Sequence, residues 1–289
     1  MIYLIYKIGK ECKLMERQEI KNEVRFHADE VIRKYDESRF MFCGLYGSQN
    51  YGLDTPTSDV DTKAIVLPTI HELMHYKKVS HTFVVRENEE GQCDVKHIQL
   101  MFENFMKQNI NFLELLYTPY YIVANNFQDL WGQVVGGRDL IAGCNIKKMI
   151  HAAVGMGNQK YAAMEKRFES KIPLIEKYGY DPKQLASMLR LEYFCESYLE
   201  NSNFEKAIHP EGLSRDTIVS VKVTPPSLAV ARKMANDSIA HLQSYIDRVA
   251  SLPSKTKEEE VIKTFLDKIA EIAVTRYLKG GKDNDRYEL

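Results

Sequence analysis

The sequence predicts an α+β fold in which a small mixed sheet is followed by a helical half. Short apolar runs that are typical of strands are concentrated between residues 40 and 98. After about residue 125 the apolar residues recur mainly at helical spacing. Because the strands come early and the long helices late, we predict two domains, at residues 1–140 and 141–289.

Composition narrows the class of protein. The chain has 289 residues, a formal net charge of -1, 44% hydrophobic residues and 27% charged residues, which is ordinary for a globular protein. A near-neutral charge gives no overall attraction to nucleic acid or membrane and leaves only local patches. The five cysteines form no C-x-x-C pair, which argues against a disulfide framework or a cysteine zinc site and favours a cytoplasmic location.

The first residues, MIYLIYKIGKEC, form an apolar stretch that Lys7 interrupts. The stretch is too short for a transmembrane helix and lacks a small-residue cleavage site. We therefore expect no membrane partner, while the oligomeric state is left open.

The elements are predicted in the following order. Helices are expected at 17–37, 69–78, 97–109, 111–119, 145–170, 182–201, 226–249 and 257–279. Strands are expected at 40–47, 58–68, 81–87 and 92–98, with Cys43 and Cys93 in the core. Residues 136–143, GGRDLIAG, are predicted to be a linker, and the polar C-terminal end is expected to fray.

Two aspartates stand one residue apart in the stretch GLYGSQNYGLDTPTSDVD. On a strand, Asp59 and Asp61 would face one side and Val60 the other. Adjacent carboxylates repel each other, which raises the pKa of one of them unless a cation intervenes. Magnesium prefers carboxylate oxygens and commonly takes substrate phosphates as its other ligands. The pair therefore predicts a magnesium site for a phosphate-bearing substrate.

A third carboxylate is expected at Asp94 in the run QCDVKHI. If Cys93 and Val95 point into the core, Asp94 and Lys96 face the opposite side of the strand. Two magnesium ions held about 3.5–4 Å apart by such carboxylates would suit an in-line phosphoryl displacement.

The pair Gly47-Ser48 precedes the aspartates and is predicted to end a strand and open a short helix. Glycine allows close approach of the backbone to a phosphate, and the amides at a helix start attract anions. The pair alone could be an ordinary turn. The ordered set of strand, Gly-Ser, helix, Asp-x-Asp and a further Asp is much more specific for nucleotide chemistry.

This pattern, Gly-Ser followed after ten residues by Asp-x-Asp, resembles the signature of the polymerase-β nucleotidyltransferase superfamily. The longer string GLYGSQNYGLDTPTSDVDTKAIVLP is similar to the YcgL-like branch, also described as RNA-ligase-associated polymerase-β-like nucleotidyltransferases. The segments CDVKHIQLMFENFMKQNINFLELLYTP and YGYDPKQLASMLRLEYF also resemble that branch. The resemblance covers about residues 38–200.

The resemblance implies a nucleotidyltransferase domain that moves a nucleoside monophosphate from a nucleoside triphosphate onto an acceptor hydroxyl. It implies two Mg²⁺ ions, with an RNA terminus as the favoured acceptor because the family is associated with RNA ligation and repair. The implied metal ligands are Asp59, Asp61 and Asp94, of which Asp94 also helps to activate the acceptor. Gly47 and Ser48 would hold the triphosphate.

The resemblance also places Lys183 and Arg190 near the nucleotide or the acceptor. These residues lie about two helical turns apart and would share one helix face. Lys183 stands where histidine is expected in many relatives. A solvated basic helix face explains the two residues equally well.

Other functions stay open. The protein could transfer AMP to another protein or a nucleotide to a small molecule, or it could be a binding module without activity. Residues 71–75 read H-E-x-x-H, so His71 and His75 could bind zinc with Glu72 as the base of a metalloprotease. The short segment and the lack of an evident third ligand weigh against the protease.

The run QNINFLELL predicts a helix start in which Asn111 is the N-cap and Glu114 is the capping-box acid. Contact of these residues or of Asn109 with a substrate is the less favoured alternative.

A basic and aromatic surface in the helical half is a candidate RNA-binding groove. Its members are Lys147, Lys148, Tyr161, Lys160, Lys166, Arg167, Phe168, Lys171, Lys177, Tyr178 and Tyr180.

Overall fold

The computed structural model describes residues 14–86 and 91–280, and it has an α+β fold as predicted. Five strands form one mixed sheet in the order β3-β4-β2-β1-β5. The strands are β1 (Phe40–Tyr46), β2 (Asp61–Val66), β3 (Ser80–Val84), β4 (Gln92–His97) and β5 (Tyr121–Val123). β2 and β4 are parallel, whereas the pairs β1–β2, β1–β5 and β3–β4 are antiparallel.

Helices precede, interrupt and follow the sheet. Those of the first half are α1 (Arg17–Tyr35), α2 (Ser48–Tyr51), α3 (Ile70–Met74), α4 (Ile98–Met106), α5 (Ile110–Leu113), α6 (Gln128–Gly136) and α7 (Arg138–Gly143). Those of the second half are α8 (Ile146–Ala163), α9 (Ile172–Tyr178), α10 (Pro182–Asn201), α11 (Phe204–Ile208), α12 (Gly212–Val223), α13 (Leu228–Arg248) and α14 (Lys257–Gly280). The helices predicted at 17–37, 182–201, 226–249 and 257–279 are thus confirmed to within two residues at each end.

Helix α1 covers one face of the sheet. Its buried residues Val24, Ala28 and Val31 recur at helical spacing, so they form one apolar stripe. Ala28 and Val31 join a cluster that contains Cys43 and Cys93. Both cysteines are fully buried, which confirms their predicted place in the core.

The opposite face of the sheet carries the larger core. Phe42 packs against Trp131 of α6 with ring centroids 4.0 Å apart, and both side chains are buried. The same apolar cluster continues through α8, α10, α13 and α14. This core therefore includes residues from both sides of the predicted 140/141 boundary, and the division into two domains stays a prediction.

The linker predicted at residues 136–143 is wrong, because this segment ends α6 and forms α7. Ile141 and Ala142 are buried in the main core. Burial of these apolar side chains stabilises a helix that the glycines alone would disfavour.

The second strand begins at Asp61 rather than at residue 58. A turn occupies the intervening residues: the Ser58 amide donates to the Thr55 carbonyl at 2.8 Å, and Ser58 Oγ accepts from the Thr55 amide at 2.9 Å. Asp59 therefore lies in the loop before β2. Burial still alternates, with Val60 buried between the partly exposed Asp59 and Asp61.

The strand pair predicted around residues 81–98 is confirmed as β3 and β4, although most of its turn lies outside the described residues. The N-terminal apolar stretch and the polar end after residue 280 also lie outside them. In the part of the chain that the structure describes, no helix is both long and apolar enough to cross a bilayer.

Candidate active site

Strands β2 and β4 bring the predicted site residues onto one face of the sheet. Lys63 and Asp94 are direct partners in the parallel register. Asp61 and Lys96 lie two residues from them along their strands and therefore share their face. The neighbouring Cys93 is buried on the other face, as predicted.

Asp61 meets the turn that follows β1. Its Oδ1 accepts a hydrogen bond of 3.0 Å from the backbone N–H of Gln92, which fixes the carboxylate. Its Oδ2 lies beside Gly47, because a Cβ placed on that glycine would be 3.8 Å from this oxygen. The structure thus brings together Asp61 and the Gly-Ser pair. They are close because Tyr46, which directly precedes Gly47, is the partner of Asp61 in the pairing of β1 with β2.

Asp94 is held by two ammonium groups. Lys96 Nζ lies 2.9 Å from Asp94 Oδ1 and Lys63 Nζ lies 3.3 Å from Oδ2. Although burial would raise the pKa of Asp94, Lys63 and Lys96 hold it below its ordinary value. Asp94 is therefore an anion near neutral pH, and its charge is balanced from two sides by the protein itself.

Asp59, Asp61 and Asp94 were predicted to bind metal together. Among the described residues, no group of three or more His, Cys, Asp or Glu side chains is arranged to hold a metal ion. The chemistry of Asp61 fits a cation, since this residue presents a carboxylate oxygen to the Gly-Ser turn. Participation of Asp94 would require its two lysine contacts to shift or to be shared.

Lys63 was missed by sequence reasoning. Its side chain is only 6% exposed, and its Nζ lies 3.7 Å from the centroid of the Tyr46 ring. Burial lowers the pKa of Lys63, an effect that Asp94 opposes. The signal was available, because a lysine within the buried strand DTKAIV shares the face of Asp61.

The Gly-Ser loop, defined here as residues 47–53, has a special backbone. Gly47 has φ 87° and ψ -155°, and Ser48 begins α2 directly after it. The carbonyl of Gly47 accepts from the amides of Asn50 and Tyr51 at 2.9 and 3.2 Å. At the other end Gly52 takes the left-handed conformation, with φ 68° and ψ 26°. The predicted sequence of strand, Gly-Ser turn and short helix is confirmed.

Glu114 lies beneath this loop and is fully buried. Its Oε2 accepts from the Gly47 amide at 3.1 Å and from Asn50 Nδ2 at 3.2 Å, while its Oε1 accepts from the Tyr51 hydroxyl at 2.5 Å. Burial raises the pKa of Glu114, and Arg190 opposes this shift. The carboxylate therefore links three residues of the Gly-Ser loop to the main core.

The capping roles predicted for this region are wrong. Asn109 is the N-cap of α5, and its side chain accepts from the Asn111 amide at 3.1 Å. Glu114 does not return to the helix start, because it faces the Gly-Ser loop instead. A lone acid in the apolar run NFLELLY was the sequence signal, since a buried carboxylate requires donors from elsewhere in the fold.

The structure brings Arg190 to the Gly-Ser loop but leaves Lys183 exposed. The guanidinium of Arg190 lies 4.2 Å from the centroid of the Tyr51 ring and donates to Asn111 Oδ1 at 3.1 Å. Lys183 occupies the first turn of α10, on the same side as Arg190 but toward solvent. Nearby, Lys222 donates to the Leu53 carbonyl at 2.7 Å, and burial lowers its pKa to about 8.

The H-E-x-x-H segment has a structural role. Glu72 forms a capping box with Thr69 at the start of α3 and an ion pair of 2.6 Å with Arg39. The rings of His71 and His75 lie side by side, with centroids 4.3 Å apart. Because Glu72 is engaged in capping and in the Arg39 ion pair, the geometry favours a helix cap over a zinc-protease base.

The candidate RNA-binding groove loses two of its lysines to internal contacts. Lys147 Nζ donates to the carbonyls of Ala250 and Leu252 at 2.7 and 3.0 Å. Lys148 pairs with Glu259 of α14. These two lysines therefore hold the end of α13 and the start of α14, and they are poor candidates for contact with phosphate.

Replacing Gly47 with alanine should destabilise the protein by about 2 kcal/mol, because its φ and ψ lie in a region that is essentially restricted to glycine. Urea unfolding of the purified variant measures this change. Gly52→Asn is the matched control and should cost much less, since asparagine tolerates the left-handed conformation. Equal losses in the two variants would contradict the assigned backbone geometry.

No protein-family model matches the chain, and no curated protein matches it. Among solved structures, the chain is similar to a nucleotidyltransferase-like protein from Exiguobacterium sibiricum 255-15. The two are 13% identical over 90% of this chain and 80% of that chain, with a TM-score of 0.29. A TM-score this low does not support any statement about the function of this protein.

Proposed function

We propose that the protein is a magnesium-dependent nucleotidyltransferase that moves a nucleoside monophosphate from a nucleoside triphosphate onto an acceptor hydroxyl. The observation that supports this most is the position of Asp61 Oδ2 beside Gly47, at the start of the Gly-Ser loop. A metal-binding carboxylate and a glycine turn suited to phosphate then act on one substrate. Asp59, two residues before Asp61, supplies the second carboxylate.

In the proposed reaction, the acceptor oxygen forms a bond to the α-phosphorus while the bond between this phosphorus and the bridging oxygen breaks. Pyrophosphate leaves, and the hydroxyl proton passes to solvent or to a carboxylate. Asp59 and Asp61 would hold Mg²⁺, which supplies neutralisation of phosphate charge when bound. The protein contributes mainly positioning, with Gly47 and Ser48 at the triphosphate and Arg190 behind the loop.

Asp94 orients the acceptor hydroxyl in this proposal. Its lowered pKa makes it a weak base, so its contribution is to hold the hydroxyl and to balance charge together with Lys63. An RNA terminus is the favoured acceptor. Transfer of AMP to a protein, or of a nucleotide to a small molecule, is the second candidate, because the same carboxylates and loop serve any hydroxyl.

Label transfer tests the function and separates the acceptors. The purified protein is incubated with each α-labelled nucleoside triphosphate, Mg²⁺, and separate pools of RNA, DNA and cell protein. We expect label on RNA that is sensitive to ribonuclease and is lost when EDTA removes the metal. Label on protein would replace the RNA acceptor by nucleotidylation of a partner. Failure of the protein to bind any nucleoside triphosphate would overturn the proposal.

A further inference from the structure

We infer that Glu114 is a positioning residue that sets the geometry of the Gly-Ser loop for the triphosphate, an inference that rests on the proposed function. Its carboxylate is fully buried and accepts hydrogen bonds from Gly47, Asn50 and Tyr51. No part of this role follows from the Asp-x-Asp pattern. Glu114 lies beneath the loop and contacts it from the side of the protein core.

Of the three hydrogen bonds, the one that the Gly47 amide donates to Glu114 is the most important for this inference. Gly47 joins β1 to α2, so its peptide orientation decides where Ser48 and the first turn of α2 point. Because the Gly47 N–H is directed at Glu114, it is not directed at a phosphate. The carboxylate thereby fixes the peptide plane in a conformation that only glycine adopts readily.

The hydrogen bonds from Asn50 and Tyr51 to Glu114 also constrain the end of α2. A four-residue helix has little stability of its own, so its shape depends on tertiary contacts. The Tyr51 hydroxyl bonds to Oε1, and the Tyr51 ring carries the guanidinium of Arg190 on its face. Glu114, Tyr51 and Arg190 therefore contact one another in series and connect the core to α10.

Basic side chains of the helical half hold the far side of the loop. His209 Nε2 lies 2.9 Å from the Asn50 carbonyl oxygen, and Arg215 Nε donates to the Gly52 carbonyl at 2.9 Å. Lys222 holds the Leu53 carbonyl in the same way. These contacts constrain the end of the Gly-Ser loop, whereas Glu114 accepts the hydrogen bond from the Gly47 amide at the start of the loop. Loss of Glu114 should therefore loosen the start of the loop first.

The test compares Glu114→Ala with Glu114→Gln, with Tyr51→Phe and with the control Glu72→Gln. Glu72 also accepts a backbone N–H, from Thr69 at 2.8 Å, but it lies at the start of α3. We expect kcat/KM for the triphosphate to fall about 100-fold in Glu114→Ala, since a small misplacement of reacting groups has effects of this size. Glu114→Gln keeps an acceptor for Gly47 and should recover most of the loss, and Glu72→Gln should leave kcat/KM unchanged.

Hydrogen exchange of residues 47–53 provides a readout that does not depend on activity. Exchange there should accelerate in Glu114→Ala and, to a smaller extent, in Tyr51→Phe, which removes a single hydroxyl and is expected to fold. Manganese binding, which probes Asp59 and Asp61, should be unchanged in both variants. If Glu114→Ala does not fold, Tyr51→Phe decides, with an expected fall in kcat/KM of about threefold to tenfold, in line with one lost hydrogen bond.

Two results would overturn the inference. One is a folded Glu114→Ala, or failing that Tyr51→Phe, with wild-type kcat/KM and wild-type loop exchange. The other is a loss of thermal stability in Glu114→Ala without any change in kcat/KM per folded molecule, which would mark a purely structural residue. Failure of the proposed function is distinguishable, because the wild-type protein would then bind no triphosphate while loop exchange would still report on Glu114.

Discussion

Replacing Asp61 with asparagine should lower label transfer at least about 1,000-fold, equivalent to about 4 kcal/mol of transition-state stabilisation. Asparagine retains an oxygen that can accept the Gln92 N–H, so the local strand pairing is kept. It removes the negative charge beside Gly47, where the proposed cation would lie. The measurement is initial-rate label transfer at saturating Mg²⁺, together with circular dichroism to verify folding.

The controls for this experiment distinguish a local from a general effect. Asp59→Ala should be equally inactive, because it removes the other proposed ligand. Asp267→Asn changes an exposed acid in an i,i+4 pair with Lys263, and should retain wild-type activity. Glu72→Ala should also retain activity in the nucleotidyltransferase but abolish any zinc-protease activity. Wild-type transfer rates in folded Asp61→Asn would remove this residue from the site.

Replacing Arg190 with methionine should lower the free energy of unfolding by about 3 kcal/mol at a pH at which Glu114 is ionised, because it leaves the buried Glu114 without its opposing cation. Arg190 is 9% exposed and stacks on the tyrosine that bonds Glu114. Urea unfolding curves at several pH values measure the loss. Arg232→Met is the control, because Arg232 forms a solvent-exposed ion pair with Glu165 whose loss should destabilise the protein far less.

The loss caused by Arg190→Met should depend on pH in a defined direction. Burial raises the pKa of Glu114 in the folded protein and Arg190 opposes this, so the variant has a pKa still further above the unfolded value of about 4.3. Below that value Glu114 is protonated in both states and the deficit is small. The unfolded chain titrates alike in both proteins, so the deficit grows as pH rises through the raised pKa that Glu114 has in the folded wild-type protein. An equal deficit at pH 4 and at about pH 9 would assign the loss to packing.

Local sequence patterns were sufficient to predict the elements whose residues interact locally or with regular spacing. The apolar stripes of α1, α10 and α13 and the alternation of β4 follow from periods of 3.6 and 2 residues. The Gly-Ser turn and the carboxylates were visible for the same reason, since each lies in one short segment. Residues 136–143 were misread because their helix depends on burial of Ile141 and Ala142, which no local pattern reveals.

The contacts that support the site are formed between segments that are distant in the sequence. Glu114 is 67 residues from Gly47 and Asn111 is 79 residues from Arg190, so these contacts have no local sequence signature. The pairing of Asp94 with Lys63 depends on the parallel register of β2 and β4. Buried charges must find partners wherever the fold supplies them, because water cannot reach them. The sequence therefore marked which groups carry chemistry, and the fold alone determined which charges balance them.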